Sequence, residues 1–472
     1  MGANWEWNDN NNIGIKYSID FPLNTLDKGS LNSKIYTDGE VYDQLSSHNS
    51  SKHIASARHH VNAYYRANYN KLTLGADFDF LNNRQSNFNT YSEKSEDHHD
   101  REVQTEGITS NILFASKVFS ELNISKWTFS IGIDYSWTSR KNDYSCKDNF
   151  IDSQNDNIRE THLSPYFDIN WNIGNCQIIG GVRYEKVWSN FWSNDHYTNK
   201  DYSNIYPNVS VFLPLGNVSV LASYSIKDKK PSYAMLRNEV TYGNRFTYQT
   251  GNPYLKPEKI HNINLSMVYR MFQFVLGYTD RRNAILYSAD FYKDSPSIAL
   301  ISFCNIPTLK NITGSVSINQ SIGLWDPTFT LAVTKQWFTT KTAYGEIQLN
   351  KPILMTNFSN MLNFGKGWRA NINLNYTSKG DSENCKLSRS TFCVDFRIYK
   401  YFLNNNLSLS VGVTDLFDSQ KSGNILYLNN LNTTQIEWRD NREVGVTLTY
   451  RFNSTKGRYK GDSAGKEEQE RL

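Results

Sequence analysis

No stretch of this chain approaches the ~20 consecutive apolar residues of a membrane-crossing helix, so a helical membrane bundle is excluded. Cysteine is scarce and scattered. The five residues, Cys146, Cys176, Cys304, Cys385 and Cys393, are odd in number and contain no CxxC pair, which argues against a zinc or disulfide framework. Cys385 and Cys393 are near enough to meet across a loop, but unpaired thiols are the simpler reading. Charge of one sign is also missing. Fifty basic and forty-six acidic residues are intermixed, giving +4, and no basic stripe invites nucleic acid. No G-x-S-x-G elbow or H-E-x-x-H helix occurs, so no catalytic residue is nominated and no enzyme is expected. No Pro/Ser linker divides the chain, which reads as one large unit. The first residues, Met1 to Trp7, have neither the basic start nor the apolar core of a signal peptide.

What is present is a repeated alternation. In Trp127-Thr128-Phe129-Ser130-Ile131-Gly132-Ile133-Asp134-Tyr135-Ser136-Trp137 every odd position is aromatic or aliphatic, and the even ones are small or polar. A period of two puts these sets on opposite faces of a strand. Trp stands at both ends of the apolar face. Ten steps of ~3.3 Å, tilted by ~40°, rise ~25 Å, the apolar band of an outer-membrane barrel between its aromatic girdles. The pattern returns at 72–80, 262–269, 368–376, 407–414 and 443–452. A soluble sandwich also alternates, but its strands are shorter and need no aromatic at each end. A mean hydropathy of −0.60 fits a barrel, because only one face of each strand meets lipid.

The expected fold is all-β: a large antiparallel transmembrane β-barrel with about nineteen strands present. They begin at 11–21, 33–47 and 55–69 and end at 385–402, 405–418 and 431–452. Short connections such as Asn70, Gly174, Leu215-Gly216 and Gly365-Lys366 alternate with long polar ones at 91–101, 143–157, 193–202, 228–257, 293–310, 341–349, 379–384 and 419–430. Short periplasmic turns and long outer loops are usual in bacterial barrels. The last strand then runs toward the periplasm. Counting back, 11–21 does too, which places Met1 outside. Both that and the odd count lead us to expect a partial barrel over 1–452, with N-terminal strands missing. Residues 453–472 are charged and aperiodic, and are expected as a disordered or loosely docked periplasmic tail.

Few residues suggest chemistry. His98-His99 lies among acidic residues but lacks metal-ligand spacing, and His59-His60 should point to opposite faces, so no metal is expected. Asp77, Asp79 and Asp134 are expected to line a hydrated wall. Trp188, Trp192, His196, Arg281 and Arg282 fall near long outer loops. They are candidate ligand contacts, weighed against ordinary girdle and loop packing. In Gly251-Asn252-Pro253-Tyr254-Leu255-Lys256-Pro257-Glu258 the prolines impose extended geometry on Asn252 and Lys256. This is a stiff structural entry into the strand near Glu258.

That stretch, GNPYLKPE, also carries a resemblance. With Tyr224-Ser225-Ile226, Lys230-Pro231-Ser232-Tyr233 and Leu236 before it, it resembles the barrel of TonB-dependent receptors, most closely the outer-membrane β-barrel family abundant in Bacteroidota. Val413-Thr414-Asp415-Leu416-Phe417, Tyr450-Arg451-Phe452, Tyr459-Lys460-Gly461, Ala464-Gly465, Glu467 and Arg471-Leu472 agree. The family's Arg is replaced by Lys230. The resemblance implies a barrel of about 22 strands around an N-terminal plug, with no cofactor. It implies uptake energised by an inner-membrane TonB complex acting through the missing N-terminal region. The expected cargo is a nutrient such as a siderophore, cobalamin, glycan or peptide. A passive porin or surface-adhesin barrel is the alternative.

Overall fold

The computed structural model describes residues 1–472 apart from 1, 38, 195, 294, 343–344, 430, 439–440 and 453–458. β1 (Gly2–Asn8) pairs with β2 (Asn11–Asp20). β2 and β3 (Thr25–Thr37) make one interrupted stave. β4 (Glu40–Ala55) and β5 (Arg58–Tyr69) make the next. β6 (Leu72–Ser95) pairs with β5 along its first half and β4 along its second. An antiparallel meander continues through β7 (Arg101–Ile124), β8 (Trp127–Cys146), β9 (Gln154–Ile173), β10 (Cys176–Ser193), β11 (His196–Leu215) and β12 (Val218–Lys229). An insertion then carries α1 (Tyr233–Leu236) and the hairpin β13 (Thr241–Asn244) and β14 (Thr247–Gln249). The ladder resumes with β15 (Glu258–Tyr269), β16 (Phe272–Tyr292), β17 (Ser295–Asn319) and β18 (Trp325–Trp337). After the outer hairpin β19 (Thr339–Thr342) and β20 (Gly345–Gln348) come β21 (Ile353–Gly365) and β22 (Trp368–Thr377). A small four-stranded sheet joins β23 (Gly380–Ser382) and β24 (Cys385–Leu387) to β27 (Lys421–Leu428) and β28 (Leu431–Trp438). The main ladder ends with β25 (Thr391–Phe402), β26 (Leu407–Thr414) and β29 (Glu443–Tyr450), and α2 (Lys466–Arg471) follows.

With interrupted staves counted once, about nineteen antiparallel strands form one sheet, the number read from periodicity. Among the described residues β1 and β29 do not pair with each other. Short turns gather at one end. Positive φ at Asn70 and Gly174 marks two of them, a conformation that Asn and Gly tolerate.

The two faces follow the alternation, inverted relative to a soluble protein. On β8, Ile131 is 62% exposed and Ile133 41%, while Ser136 and Thr138 are buried. On β6, Phe78 and Phe80 project outward and Asp77 and Asp79 are buried inside. Trp127 and Trp171 stack at 4.7 Å between their strands near the short-turn end. The apolar face is the outer face, and the inner wall is polar.

Several boundaries differ from expectation. The strand expected at 33–47 contains a hairpin, with Gly39 at φ +89°. Gly39 is a turn residue that the apolar pattern overrode. β2 therefore runs away from the short-turn end, opposite to the direction counted for 11–21, and β1 supplies an additional stave. The expected strand 431–452 is broken: β28 belongs to the outer sheet, and only β29 reaches the wall. Residues 385–402 break similarly into β24 and β25. Much of the connections at 91–101, 143–157, 193–202 and 293–310 is strand. Staves continue past the apolar band, where no lipid imposes alternating hydrophobicity. All five cysteines are free.

The tail differs most. Residues 453–458 lie outside the described residues, but 459–472 are docked inside the barrel. They run along the inner wall. Tyr459 donates to the Asn62 carbonyl at 2.9 Å, and the Asp462 and Gly465 amides donate to Asp77 and Asp79 at 3.0 and 2.9 Å. Ala464 and Leu472 pack on Leu81, Leu113 and Ala115.

Candidate functional site: the lumen and its inward loop

Inward parity on β9 places Glu160, His162 and Ser164 in a row, and β10 adds Glu185 beside Ser164. All four are buried. Lys230, just beyond β12, brings its ammonium to 3.1 Å from Glu185, 3.3 Å from Asp228 and 2.6 Å from Glu467 of the tail. Burial alone would lower this ammonium. Asp228, Glu467 and Glu185 reverse that and hold it well above its usual value. The Arg471 guanidinium pairs with Glu160, donates to the Pro231 carbonyl at 3.1 Å and lies 4.4 Å from the Tyr233 ring centroid. Tyr233 donates to the same Glu160 carboxylate at 3.1 Å. His162 sits 2.6 Å from Glu160 and 3.7 Å from Glu468. Arg140 donates to the Leu472 backbone oxygen at 3.0 Å. Every charge here has an opposite charge or hydrogen-bond partner, as burial demands.

The segment between β12 and β15 folds back over this cluster. Ser232 caps α1. β14 lies parallel to β17, and the hairpin tip reaches the far outer end of β6. There Arg245 donates from its backbone and side chain to Glu93 at 3.1 Å, and Tyr242 donates to Glu93 at 3.0 Å. The Asn238 amide donates to Asp156 of β9 at 2.8 Å. The loop thus ties staves far apart in the ladder.

The 251–258 stretch anchors it. A Cβ on Gly251 would stand 2.5 Å from the Met235 and Arg237 carbonyl oxygens, so glycine is needed for the approach. Asn252 donates to the Phe303 carbonyl and accepts from the Tyr254 amide, each at 2.9 Å. Leu255 is buried with Tyr233 and Leu236. Pro253 accepts a bond from Lys200 through its carbonyl, and Pro253 and Pro257 border a small cavity of about 30 Å³ beside Glu160 and Arg471. Glu258 receives two bonds from Arg281, at 2.7 and 2.9 Å, and one from the Ile285 amide at 2.8 Å.

The sequence of residues 64–450 matches the model of the outer membrane protein beta-barrel family. The chain belongs to that family. Its place is the outer membrane, and its exposed apolar band is the lipid face. No curated protein matches the sequence. Among solved structures, the copper transporter OprC is 13% identical with TM-score 0.55, over 96% of this chain and 79% of that one. The ferric preacinetobactin receptor BauA of Acinetobacter baumannii is 12% identical with TM-score 0.57, over 95% and 71%. The ferric yersiniabactin uptake receptor FyuA of Yersinia pestis is 13% identical with TM-score 0.55, over 96% and 77%. At such identities the likeness is one of fold.

In this family member the candidates named from sequence do not converge. Trp188 and Trp192 share the outward face of β10, with His196 exposed at the adjoining hairpin end. Trp192 packs on Tyr197 and under Arg159. Arg281 faces inward to Glu258 and Glu383, whereas Arg282 is exposed beside Asp280. His60 meets Asp79 inside and His59 meets Tyr17 on the other face, as period two requires. Among the described residues no His/Cys/Asp/Glu group has metal-holding geometry. The inner cluster of Glu160, His162, Glu185 and Lys230 was missed. Its available signal was charge at inward parity, at 160 and 162 on β9 and 185 on β10.

Proposed function

We propose that this chain is the barrel of a TonB-dependent outer-membrane receptor that takes up a nutrient of the siderophore, cobalamin, glycan or peptide class. The observation that carries the reading is a wide polar-walled barrel, crossed by an inward loop, that shares its fold with a copper transporter and two ferric siderophore receptors over nearly its whole length. A lumen of this width leaks unless something fills it. The reading therefore includes a plug and further strands upstream, meeting the free edges of β1 and β29, and contact with the TonB complex through that upstream part. The protein acts as a carrier and not as an enzyme.

Uptake by cells expressing the gene with its upstream sequence tests this. Candidate nutrients are supplied with and without an intact TonB complex. Uptake that requires the complex supports the receptor. Flux that persists without it, scaling only with solute size, identifies a passive porin and overturns the reading.

A further inference from the structure

The buried cluster around Glu160 has the construction of a recognition socket. A carboxylate, a backbone carbonyl and an aromatic face converge on one guanidinium, that of Arg471. Such groups together discriminate arginine from lysine, because only the planar fork satisfies the acceptors while stacking on the ring. Beside it, Lys230 is set to receive a carboxylate, and Glu467 fills that role. Two of the socket's parts, Pro231 and Tyr233, are not wall residues. They form the foot of the inward loop. The remainder of the segment is held along the wall as far as β5.

We propose that this region of the lumen is a recognition site for an acidic, arginine-bearing peptide, that its occupant is the chain's own segment 459–472, and that the occupied site latches the 230–257 loop inward. Pairing of Arg471 with both Glu160 of the wall and Pro231 of the loop makes the position of one depend on the other. Leu472 packs with Tyr233 and Leu236 beside the small cavity already described. The latch stands whether transport is energised or passive, because it concerns the loop and not the energy source.

Hydrogen exchange on the refolded chain in detergent tests it. Loop amides bonded in the structure, such as Asn252 to the Met235 carbonyl, report the latch. Deletion of 459–472 should speed their exchange on the order of tenfold or more, leaving the β15–β16 ladder unchanged. Peptide 459–472 added in trans to the deletion variant should restore protection, and the same peptide with R471K should not. E160R combined with R471E should recover part of what either change loses. Loop protection that survives the deletion, tail amides that exchange freely in the intact chain, or equal rescue by the R471K peptide would each overturn the proposal. If the deletion variant fails to fold, exchange of the tail and loop in intact R471K decides. Unchanged protection there also overturns it.

Discussion

Single residues on this barrel have opposite values according to parity. Ile131 projects outward at 62% exposure and faces lipid, whereas Ser130, one residue away, faces the lumen. Ile131→Arg should cost ~2–4 kcal/mol near the bilayer midplane, and Ser130→Arg much less. A urea folding titration in lipid checks this, and equal losses would contradict the register. Gly251 is the opposite case, a residue valued for what it lacks. The carbonyls a Cβ would strike belong to backbone and cannot rotate away. Gly251→Ala should cost about 1–3 kcal/mol, expressed as a loosened loop. Faster proteolysis between 230 and 257 with an intact barrel is the expected result. Both residues were legible in sequence to different degrees. Ile131 was readable because lipid imposes strict alternation. Gly251 was readable only as part of a motif, since the carbonyls that exclude a side chain come from residues distant along the loop.

At the scale of elements, legibility followed the membrane. β8, β10 and β16 were found because their apolar residues alternate. The β3–β4 hairpin, the outer sheet of β24, β27 and β28, and the far end of β17 were not, because strands beyond lipid need no such pattern. The docking partners of the tail were not legible for a related reason. Its partners lie on β5, β6, β8, β9 and beyond β12, so its complementarity exists only once the wall is assembled. That complementarity carries a pH dependence. Burial would raise the Glu467 carboxyl, and the Lys230 ammonium reverses this and holds it below the usual value. A depressed carboxyl contributes its full docking strength above the free value of ~4.3 and loses it as pH falls through the docked value. Lys230, raised, contributes fully below ~10.4 and loses strength only above that. The tail should thus stay docked from pH 6 to 9 and release on acidification below about 4. Tail amide exchange, corrected for its intrinsic pH dependence, should show protection vanishing in acid. Protection persisting at pH 3 would contradict the Lys230–Glu467 contribution.

For the whole molecule the decisive feature is the pair of free edges. Among the described residues β29 pairs only with β26, and β1 only with β2. Apolar Val444, Val446 and Leu448 on β29 are more than two-thirds exposed, so this edge strand is built for lipid. In lipid an unpaired backbone group finds no water, and each costs several kcal/mol. A sheet with such edges must close on itself, pair with added strands or pair with another copy. Period-two patterning shows which face a strand presents but not whether its edge is met, so closure was approachable from sequence only by counting. In lipid bilayers residues 1–472 alone should therefore associate through β1 and β29, giving cross-linked dimers or larger species. Extension with the upstream strands proposed above should yield monomers and bring amide protection in 443–450 up to that of β8. A monomeric 1–472 whose β29 amides are already as protected as those of β8 would show that the two edges meet directly, and the argument for added strands would fall.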